Sequence, residues 1–561
     1  MKFSPNQPST HRSRGLSRKK TTADPGKARP TLAPEAPHAP AVAGVWQTRI
    51  EPFLAQHARV LVACFLLLGI GRIVSTYHVF ATTGDEPAHI ACGLQYVAQH
   101  IYHYETQHPP LTRAMIAFLP YLSGTRPQGQ PSFQLEGWKL ITYEKHPEQT
   151  VTLMRLGILP FFVLGCLVVF YWTRRYFGLA TGVIATLLFT LIPTVLAHAG
   201  LATTDMPVTA TLLFALYALE LFLDEPSWKH AIVLGIAAGC GLTSKFSFIP
   251  FFAIAAVVLI AVRRVIPSVR IVGSLLIALL FVWSIYKFSW GPMEDEYKGM
   301  TKATAQMLHS ARLALVPIPA PAFFTGILAV QAHDVRGHTS YLYGRVSDHG
   351  FWNYFLVALA VKTPIPLLLL FFIGLVAARR NLDLLLIVAA ILGYAMTSNI
   401  NIGIRHVLPL YPLMAMIAAS VVTLPRTRVV TITCLAWLVA NTELAHPDYL
   451  AWFNAFAGRE PSHVLVDSNL DWGQDLLRLA SACRERHVDA LNISLFTPAD
   501  LHDVGLPPTK QLDWYTPVRG WVAVSETSLQ LARAQGPMAF RWLDGHAYER
   551  IGKTILLYRL P

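Results

Sequence analysis

The sequence carries little charge for its size. Of its 561 residues, 14% are Asp, Glu, Lys or Arg, whereas an ordinary soluble domain has about 25%. Hydrophobic residues make up 53%, and the mean hydropathy is +0.41. This composition excludes a disordered protein, a coiled coil and a disulfide scaffold. A nucleic-acid-binding protein is also disfavoured, because much of the net charge of +13 comes from the basic residues of a single N-terminal tail.

Cysteine is scarce, and some familiar motifs are missing. Of the six cysteines, only Cys92 and Cys483 lie outside the long apolar runs; a disulfide between them is possible but not supported by their spacing, and no metal pattern involves cysteine. No glycine-rich phosphate loop is present, which disfavours a nucleotide sugar as substrate. The first apolar run begins only near residue 58, so we expect no cleavable signal peptide.

Long apolar runs fill the middle of the chain. A helix needs about 20 such residues to cross a bilayer, and about eleven runs approach that length. They lie at 58–80, 151–173, 179–199, 206–223, 229–245, 247–264, 270–288, 353–377, 382–398, 405–424 and 427–443. The sequence therefore predicts an α-helical polytopic membrane protein.

Basic residues fall in every second connection between these runs. Cytoplasmic loops retain Lys and Arg, so this alternation sets the orientation. The basic connections contain Arg174, Arg175, Lys229, Arg263, Arg264, Arg270, Arg379, Arg380, Arg426 and Arg428. The N-terminus is therefore expected inside and the C-terminal segment outside. A bacterial cytoplasmic membrane is the expected location, by analogy alone.

Three regions follow from this topology. Residues 1–56 are rich in Pro, Ala and basic residues and predict a disordered cytoplasmic tail. Residues 57–443 form the transmembrane domain, with outer loops at 81–150 and 289–352. Residues 444–561 have an ordinary soluble composition and predict a small α/β domain outside the membrane. Its expected elements are strands at 463–467, 490–496, 521–525 and 554–559, and a helix within 473–487.

Two acidic motifs lie at outer helix ends. TGDEPAH follows the first span, and TTDMP opens the fourth. Helix capping would explain both, because Thr83 and Glu86 fit a capping box and Asp205 fits an N-cap. The topology also puts Asp85 and Asp205 at one membrane face, where carboxylates could abstract a proton beside a lipid-borne substrate. Asp85 and His89, spaced i, i+4, could instead hold a metal ion.

The first outer loop contains a further polar element, YETQHPPL. Its two prolines favour an extended backbone just before the amphipathic stretch 111–122, which is too short to span and is expected to lie in the interface or re-enter. This arrangement holds Glu105 and His108 near the membrane surface. A cationic His108 could meet a phosphate, and Glu105 could bind a metal ion or a sugar.

Basic residues in or beside the apolar runs complete the set of candidates. Lys245 separates two spans, Lys362 lies inside one, and Arg405 with His406 opens another. Snorkelling towards the interface is one explanation for such residues. A dedicated anion site is the other, and at this depth a lipid phosphate or pyrophosphate is the natural anion.

These motifs together resemble the GT-C membrane glycosyltransferases, in the branch that contains the protein O-mannosyltransferases and the lipid A aminoarabinose transferase. The resemblance covers the span pattern from about 58 to 443. Its supporting stretches are Gly84-Asp85-Glu86, Glu105 to Leu111, Thr204-Asp205, Asn401 to His406, and Asp467 to Asp475. Their order and sidedness match the group, which implies a GT-C-like fold and a polyprenyl-phosphate sugar as donor.

The resemblance also implies a mechanism. The acidic positions Asp85, Glu86 and Asp205 would be catalytic, and Asp85 would deprotonate or orient an acceptor hydroxyl that attacks the anomeric carbon with inversion. General-base assistance of this kind is worth about 10²–10⁴-fold. The acceptor would be a hydroxyl of a protein, a lipid or a glycan.

The remaining candidates would bind the substrates. By resemblance, the donor phosphate would lie near His108, Lys245, Arg405 and His406. Sugar or acceptor contacts would come from Glu105 and from the polar stretch with Asn469, Asp471 and Trp472, although Asn469 or Asp471 could equally cap a helix. A divalent metal ion is a possible cofactor, with Asp85, His89 and Glu105 as ligands.

The chain departs from the group at three points. His108 replaces the lysine expected before Pro-Pro, about twenty-five residues are inserted at 124–150, and residues 444–561 do not have a β-trefoil pattern. A secondary transporter is the main alternative, favoured by the polar break at Ser244 and Lys245. Against it, we find no internal repeat, and the acidic residues lie at outer helix ends instead of the bilayer midplane.

Overall fold

The computed structural model describes residues 44–143, 146–264, 268–293, 315–497, 501 and 504–561. Most of the predicted cytoplasmic tail (1–56) and part of the predicted outer loop 289–352 lie outside the described residues. The described chain is mainly helical up to residue 445 and contains a small mixed sheet after residue 490. The chain is a polytopic helical membrane protein with a C-terminal α/β unit.

The helices before residue 290 include most of the predicted spans. They are α1 (Glu51–Gln56), α2 (Ala58–Val74), α3 (Glu86–Leu94), α4 (Pro110–Leu122), α5 (Phe133–Thr142), α6 (Pro147–Leu156), α7 (Leu159–Phe177), α8 (Leu179–Thr190), α9 (Pro193–Ala199), α10 (Asp205–Asp224), α11 (Trp228–Leu242), α12 (Phe248–Arg263) and α13 (Arg270–Ile285). Those after it are α14 (Pro321–Arg336), α15 (Tyr354–Lys362), α16 (Ile365–Ala377), α17 (Leu382–Ala395), α18 (Leu410–Ala419), α19 (Arg428–Ala445), α20 (Leu476–Glu485) and α21 (Glu526–Gln535).

Fewer helices are long enough to cross a membrane than the sequence predicts. Among the described residues, Pro147–Phe177, Asp205–Asp224 and Pro425–Ala445 pass by length and composition, and three bent helix pairs bring the number to six. The other five predicted spans coincide with shorter apolar helices of 10–17 residues. At about 1.5 Å per residue, these five fall short of a 30 Å hydrocarbon core.

Two predicted single spans are bent, and proline explains both bends. Residues 353–377 form α15 and α16, which meet at 114°, and residues 179–199 form α8 and α9, which meet at 68°. Thr363 and Ile192 each precede a proline and have extended ψ values of 132° and 113°. A proline ring disfavours helical geometry in the preceding residue, so each helix ends there.

The helices of the first outer loop pack closely. A Cβ atom on Gly93 of α3 would lie 2.1 Å from the Arg113 carbonyl oxygen of α4, so only glycine allows this approach. The predicted amphipathic stretch 111–122 forms α4, and Thr112, Arg113 and Ile116 are buried in it. This packing holds α3 and α4 side by side, with Asp85 and His108 in the turns before them.

The C-terminal unit contains a five-stranded mixed sheet. Two short antiparallel strand pairs precede it in the chain. The strands in chain order are β1 (Trp290–Gly291), β2 (Ile318–Pro319), β3 (Ser340–Leu342), β4 (Arg345–Ser347), β5 (Leu491–Ser494), β6 (Thr509–Gln511), β7 (Gly520–Ser525), β8 (Tyr548–Ile551) and β9 (Ile555–Leu560). The two pairs are β1–β2 and β3–β4, and the strands of the five-stranded sheet lie in the order β6-β5-β7-β9-β8. β5 runs parallel to β6 and β7, whereas β9 is antiparallel to β7 and β8. Helix α20 packs on one face of the sheet and α21 on the other.

Most of the elements predicted for this unit are confirmed. The strands near 490–496, 521–525 and 554–559 and the helix within 473–487 are all present. The strand predicted at 463–467 is wrong, because short 3₁₀ turns occupy Pro461–His463 and Asp467–Asn469. Asp467 has a φ of +60°, which a strand does not permit. All six cysteines are free thiols.

Candidate active site

The two acidic residues predicted at outer helix ends come together in one ionic cluster. Lys245 Nζ donates to Asp205 Oδ1 at 2.6 Å, and Arg405 Nη1 donates to Asp85 Oδ2 at 2.7 Å. Arg405 Nη1 also lies 3.8 Å from Asp205 Oδ2. We call Asp85, Asp205, Lys245 and Arg405 the outer cluster. Its members lie before α3, at the start of α10, before α12 and in the turn before α18.

The outer cluster opens into a large cavity of about 570 Å³. Asp85, Lys245 and Arg405 line it, together with the predicted phosphate contacts His108 and His406. Its apolar wall includes Val208, Phe246, Ile249, Pro250, Phe251, Ile327, Phe355, Tyr394 and Ala395. One end of the cavity therefore carries charge, and much of the remaining surface is apolar.

The charged groups of the cluster are only partly satisfied. The Asp85 side chain is 41% exposed, whereas that of Asp205 is 1% exposed. Burial would raise the pKa of Asp85, but the Arg405 guanidinium, helped by His89 and His108, outweighs burial and lowers that pKa. Asp205 Oδ2 and Arg405 Nε have no hydrogen-bond partner among the described residues. Buried polar atoms are normally paired, so the cluster leaves part of its hydrogen-bonding capacity unused.

The polar stretch at residues 467–475 lies behind Arg405. The Trp472 ring packs under the guanidinium, 4.1 Å from Cζ, and the Asn469 amide oxygen accepts from the backbone N–H of Ile404 at 2.9 Å. Asn469, Asp471 and Trp472 are buried and do not line the cavity. They therefore lie behind the cavity wall, because this stretch folds inward against the segment that carries Arg405.

The predicted helix cap in this stretch also differs. Asp475, and not Asn469 or Asp471, occupies the N-cap of α20, without a side-chain capping bond. Asp471 instead accepts from the Gly473 N–H at 3.2 Å. Burial raises the pKa of Asp471 to about 7, and hydrogen bonds from Ser525 and Gly473 reduce this effect only in part. Asp471 is therefore a buried carboxyl that gains a proton near neutral pH.

His108 belongs to a second buried network that the sequence did not indicate. Its Nδ1 lies 3.2 Å from Glu105 Oε2, and Glu105 also binds the buried guanidinium of Arg113. Arg113 donates from Nε to His89 Nδ1 at 3.2 Å and from Nη1 to Tyr102 at 2.8 Å. Glu105 therefore orients His108 at the cavity wall and does not line the cavity itself.

Glu86 lies apart from the cavity, in contrast to its expected catalytic place beside Asp85. Its carboxylate is fully buried and forms a two-point contact with Arg155, at 2.8 and 2.9 Å. It also accepts from the backbone N–H groups of Thr83 and Ala202. Burial would raise the pKa of Glu86, but Arg155 and these hydrogen bonds lower it. Every lone-pair direction is used, so this carboxylate fixes the loop that carries Asp85.

The predicted metal ligands do not assemble into a site. Among the described residues, no group of three or more His, Cys, Asp or Glu side chains is placed to hold a metal ion. Arg113 contacts both His89 and Glu105, and its positive charge opposes a cation there. Asp85 is paired with Arg405 instead.

Three buried cations support the site, and the sequence singled out only Lys362 among them. Arg113 and Arg155 hold the acidic loops. Lys362, for which snorkelling and an anion site were the two explanations, instead donates to the carbonyl oxygens of Leu450, Trp452 and Asn469 at 2.5–2.7 Å. Each cation lies in an apolar stretch, which is itself a signal that a buried partner exists. The sequence offered no means of identifying the partner, since the contacts of Arg155 and Lys362 lie 69 or more positions away.

Comparison with known proteins gives one family match. The model of the dolichyl-phosphate-mannose-protein mannosyltransferase family matches residues 149–286. These residues include the second to the seventh predicted spans, with Asp205 and Lys245. A search of curated proteins found no match.

Solved structures also resemble the chain at low identity. ArnT from Cupriavidus metallidurans bound to undecaprenyl phosphate is 13% identical, with a TM-score of 0.47, over 88% of this chain and 97% of ArnT. The apo form of ArnT is 14% identical, with a TM-score of 0.49, over 89% of this chain and 98% of ArnT. The apo oligosaccharyltransferase of Archaeoglobus fulgidus is 14% identical, with a TM-score of 0.39, over 85% of this chain and 63% of that one.

The family match agrees with the motifs read from the sequence. It lies within the transmembrane region and includes one acid and one cation of the outer cluster. The chain is an integral membrane protein that resembles the GT-C glycosyltransferases, and over residues 149–286 it is similar to the dolichyl-phosphate-mannose-protein mannosyltransferases.

Proposed function

We propose that the protein is a glycosyltransferase that moves a sugar from a polyprenyl-phosphate donor to an acceptor hydroxyl. One observation supports this most strongly: a single cavity combines an incompletely satisfied ionic cluster with an extended apolar wall. A lipid-linked sugar phosphate needs both surfaces at once. The matched family is named for a donor of this chemistry, dolichyl-phosphate-mannose.

The donor phosphate binds at the cationic side of the cavity. Lys245 and Arg405 supply the charge, and His108 and His406 line the same wall. Arg presents a planar fork that matches phosphate oxygens, and Nε of Arg405 is still free to donate. The polyprenyl chain follows the apolar wall along α12, where Ile249 and Phe251 face the cavity.

Asp85 accepts or orients the proton of the acceptor hydroxyl. It is the exposed carboxylate of the cluster, and its lowered pKa keeps it ionised, as a base must be. The hydroxyl oxygen forms a bond to the anomeric carbon while the bond from that carbon to the phosphate oxygen breaks, with inversion. The departing phosphate keeps the bonding electron pair, and Lys245 and Arg405 stabilise its charge.

Asp205 has a positioning role in this proposal. Its buried carboxylate holds Lys245 at 2.6 Å and lies within 3.8 Å of Arg405. It therefore holds both phosphate-binding cations at the cavity and balances their charge before the donor arrives. Glu105 acts one step further back, because it orients His108.

The reaction takes place at the outer face of the membrane, which we propose is a bacterial cytoplasmic membrane. Helix α10 is 20 residues long, or about 30 Å, and Asp205 begins it inside the outer cluster. Its other end, at Asp224, contacts Arg175 and Arg263, which lie in connections predicted to be cytoplasmic. Under the positive-inside rule, this arrangement supports an extracytoplasmic position for the cavity and the C-terminal unit.

The test uses membranes that contain wild-type protein or Asp85→Asn, supplied with labelled polyprenyl-phosphate sugars. We expect transfer to fall by about 10²–10⁴-fold in Asp85→Asn. Asp513→Asn, which changes an exposed carboxylate of the C-terminal unit, is the control and should keep wild-type transfer. Wild-type rates in Asp85→Asn would remove Asp85 from the mechanism. Uptake of solute into vesicles, without transfer from any polyprenyl donor, would favour the secondary transporter.

A further inference from the structure

One wall of the cavity changes from apolar to polar along helix α14. Ile327, Val330, Gln331 and Asp334 line the cavity at i, i+3, i+4 and i+7, so they share one face of the helix. The first two are aliphatic, and the last two carry an amide and a carboxylate. The change occurs over about 10 Å of helix.

The facing wall changes in the same way and meets the first at its polar end. Tyr394 and Ala395 close α17, and Thr397 and Ser398 follow them on the cavity wall. Ser398 Oγ donates to Asp334 Oδ1 at 2.8 Å, and the Asn399 N–H donates to the same oxygen at 3.1 Å. The polar ends of both walls are therefore joined, and they form one lobe of the cavity.

This lobe adjoins the outer cluster. His333 Nδ1 lies 3.3 Å from Gln107 Oε1, and Gln107 directly precedes His108. A Cβ atom on Gly326 would lie 2.3 Å from the Thr106 carbonyl oxygen, so α14 packs directly on the loop that holds His108. A group attached to a phosphate at the outer cluster can thus reach the lobe. We call Gln107, Gln331, His333, Asp334, His338 and Ser398 the polar lobe.

The chemistry of the polar lobe suits a sugar without negative charge. It offers amides, imidazoles, a hydroxyl and one carboxylate, and it contains no lysine or arginine. Asp334 Oδ2 accepts no hydrogen bond from the described residues, and Asp334 has no ion-pair partner among them. A free carboxylate oxygen accepts well from sugar hydroxyl groups and repels a second carboxylate.

We propose that the polar lobe is the subsite for the sugar of the donor, and that Asp334 makes it selective for neutral, hydroxyl-rich sugars over acidic ones. This inference rests on the proposed function, because the phosphate must occupy the outer cluster for the sugar to reach the lobe. It explains why the polar surface extends beyond the cluster, where a bare lipid phosphate would need none.

The test compares two lipids on the purified full-length protein in detergent. Undecaprenyl phosphate tests the lipid and phosphate contacts alone, and undecaprenyl phosphate carrying a neutral hexose adds the sugar. We expect the wild type to bind the hexose lipid about tenfold more tightly, the gain of hydrogen bonds to a charged group. A uronic-acid version of the lipid should show no such gain.

Variants then assign the gain to the lobe. Asp334→Asn keeps the shape of the side chain, and Gln331→Ala removes an exposed amide on the same helix face. Both should lose most of the preference for the hexose lipid and bind undecaprenyl phosphate as the wild type does. Val335→Ala, at an exposed position that does not line the cavity, should keep the preference.

Three results would overturn the inference, and they are distinguishable from failure of the proposed function. If the wild type bound the hexose lipid and the bare lipid with equal affinity, the polar lobe would not hold the sugar of the donor. The lobe would then be a candidate site for the acceptor instead. Equal weakening of both lipids in Asp334→Asn, or retention of the full preference in both variants, would remove these residues from sugar recognition. Failure of the wild type to bind undecaprenyl phosphate at all would instead reject the proposed donor.

Discussion

Helix α10 carries an ionic cluster at each end, and the two clusters differ in how completely they are paired. The outer cluster surrounds Asp205 at its start. The inner cluster surrounds Glu220 and Asp224 at its end, and its other members are Trp172, Arg175, Tyr176, Arg263 and Asp383. Both clusters join helices that are distant in sequence, so both contribute to the fold.

The inner cluster is closed, whereas the outer one is open. Glu220 accepts from Arg175 and Arg263 through Oε1 and from Trp172 and Tyr176 through Oε2. In the outer cluster, Asp205 Oδ2 and Arg405 Nε lack partners among the described residues, and the group faces a cavity. The difference supports the proposal that one cluster ties helices together and that the other receives a ligand.

The largest expected effect is on stability, at the inner cluster. Arg263→Met leaves Glu220, 1% exposed, and Asp383, 8% exposed, without a guanidinium that contacts both. Breaking a buried ion pair from one side costs about 3–5 kcal/mol. We expect a loss of this size in the free energy of unfolding in detergent, measured by denaturant titration.

The exposed Arg379 supplies the comparison for this variant. It lies on the same predicted cytoplasmic side, so Arg379→Met removes a charge there without opening the cluster. Its unfolding free energy should match that of the wild type. If both variants were equally stable, the inner cluster would not be the tie between helices that its geometry indicates.

At the outer cluster, the same kind of change should act on transfer and much less on stability. Arg405→Lys keeps the charge but loses the planar fork that reaches Asp85 and, in the proposed mechanism, the donor phosphate. We expect kcat/KM for a polyprenyl-phosphate sugar to fall by about 10²–10³-fold. Losses of this size follow when an enzyme loses a preorganised hydrogen-bond donor that stabilises negative charge in the transition state.

Arg263→Lys is the matched exchange at the other end of α10. Transfer by this variant should stay close to wild type, measured at a temperature where it remains folded. Equal losses of kcat/KM in the two lysine variants would abolish the division between an open and a closed cluster, because both would then act only through the fold.

The two clusters also show how far the sequence could predict the molecule. Charge was scarce, so Asp85, Asp205, Lys245 and Arg405 stood out, and the alternation of basic connections predicted one face for them. Their pairing was not predictable, because the partners are 40 residues apart for Lys245 and 320 for Arg405. Which helices become neighbours depends on side-chain packing, to which a single sequence gives no direct access.

Local motifs misled where long-range contacts dominate. Thr83 and Glu86 fitted a capping box, and Thr83 does donate to Glu86, but the main partner of that carboxylate is Arg155. The stretch around Trp472 was predicted to contact a sugar or the acceptor. Folding buries the Trp472 ring against Arg405, away from the residues that line the cavity. The predicted apolar runs were reliable as helices, since periodicity and composition are local properties, but their bends at prolines were not foreseen.

A smaller effect on transfer is expected from the support behind Arg405. Trp472→Leu removes the ring that packs 4.1 Å from the guanidinium carbon, and a buried cation–π contact is worth about 2 kcal/mol. We expect the KM for the donor to rise about tenfold or somewhat more, with a smaller change in kcat, because Arg405 is less well held before the phosphate binds. Trp472→Phe should recover most of this loss. If Phe and Leu were equally poor, bulk and not the aromatic face would be what holds Arg405.

The smallest expected effect is on the pH dependence of stability. It concerns Asp471, in the stretch where the C-terminal unit contacts the outer cluster. Burial raises the pKa of Asp471 to about 7, so between about pH 4 and pH 7 the folded protein holds a proton that the unfolded chain has released. Stability conferred by that proton is present at low pH and is lost as the pH rises through this range. The apparent Tm in detergent should therefore fall as the pH rises from about 5 to about 7 and change little above that. In Asp471→Asn the slope should decrease without vanishing, because Asp467, with its pKa raised to about 6 by burial, still titrates.

Asp513→Asn, an exposed site, should leave the slope as it is in the wild type. An unchanged slope in Asp471→Asn would mean that Asp471 is not the group that binds the proton. The contact between the outer cluster and the C-terminal unit would then contain no proton-binding site at Asp471.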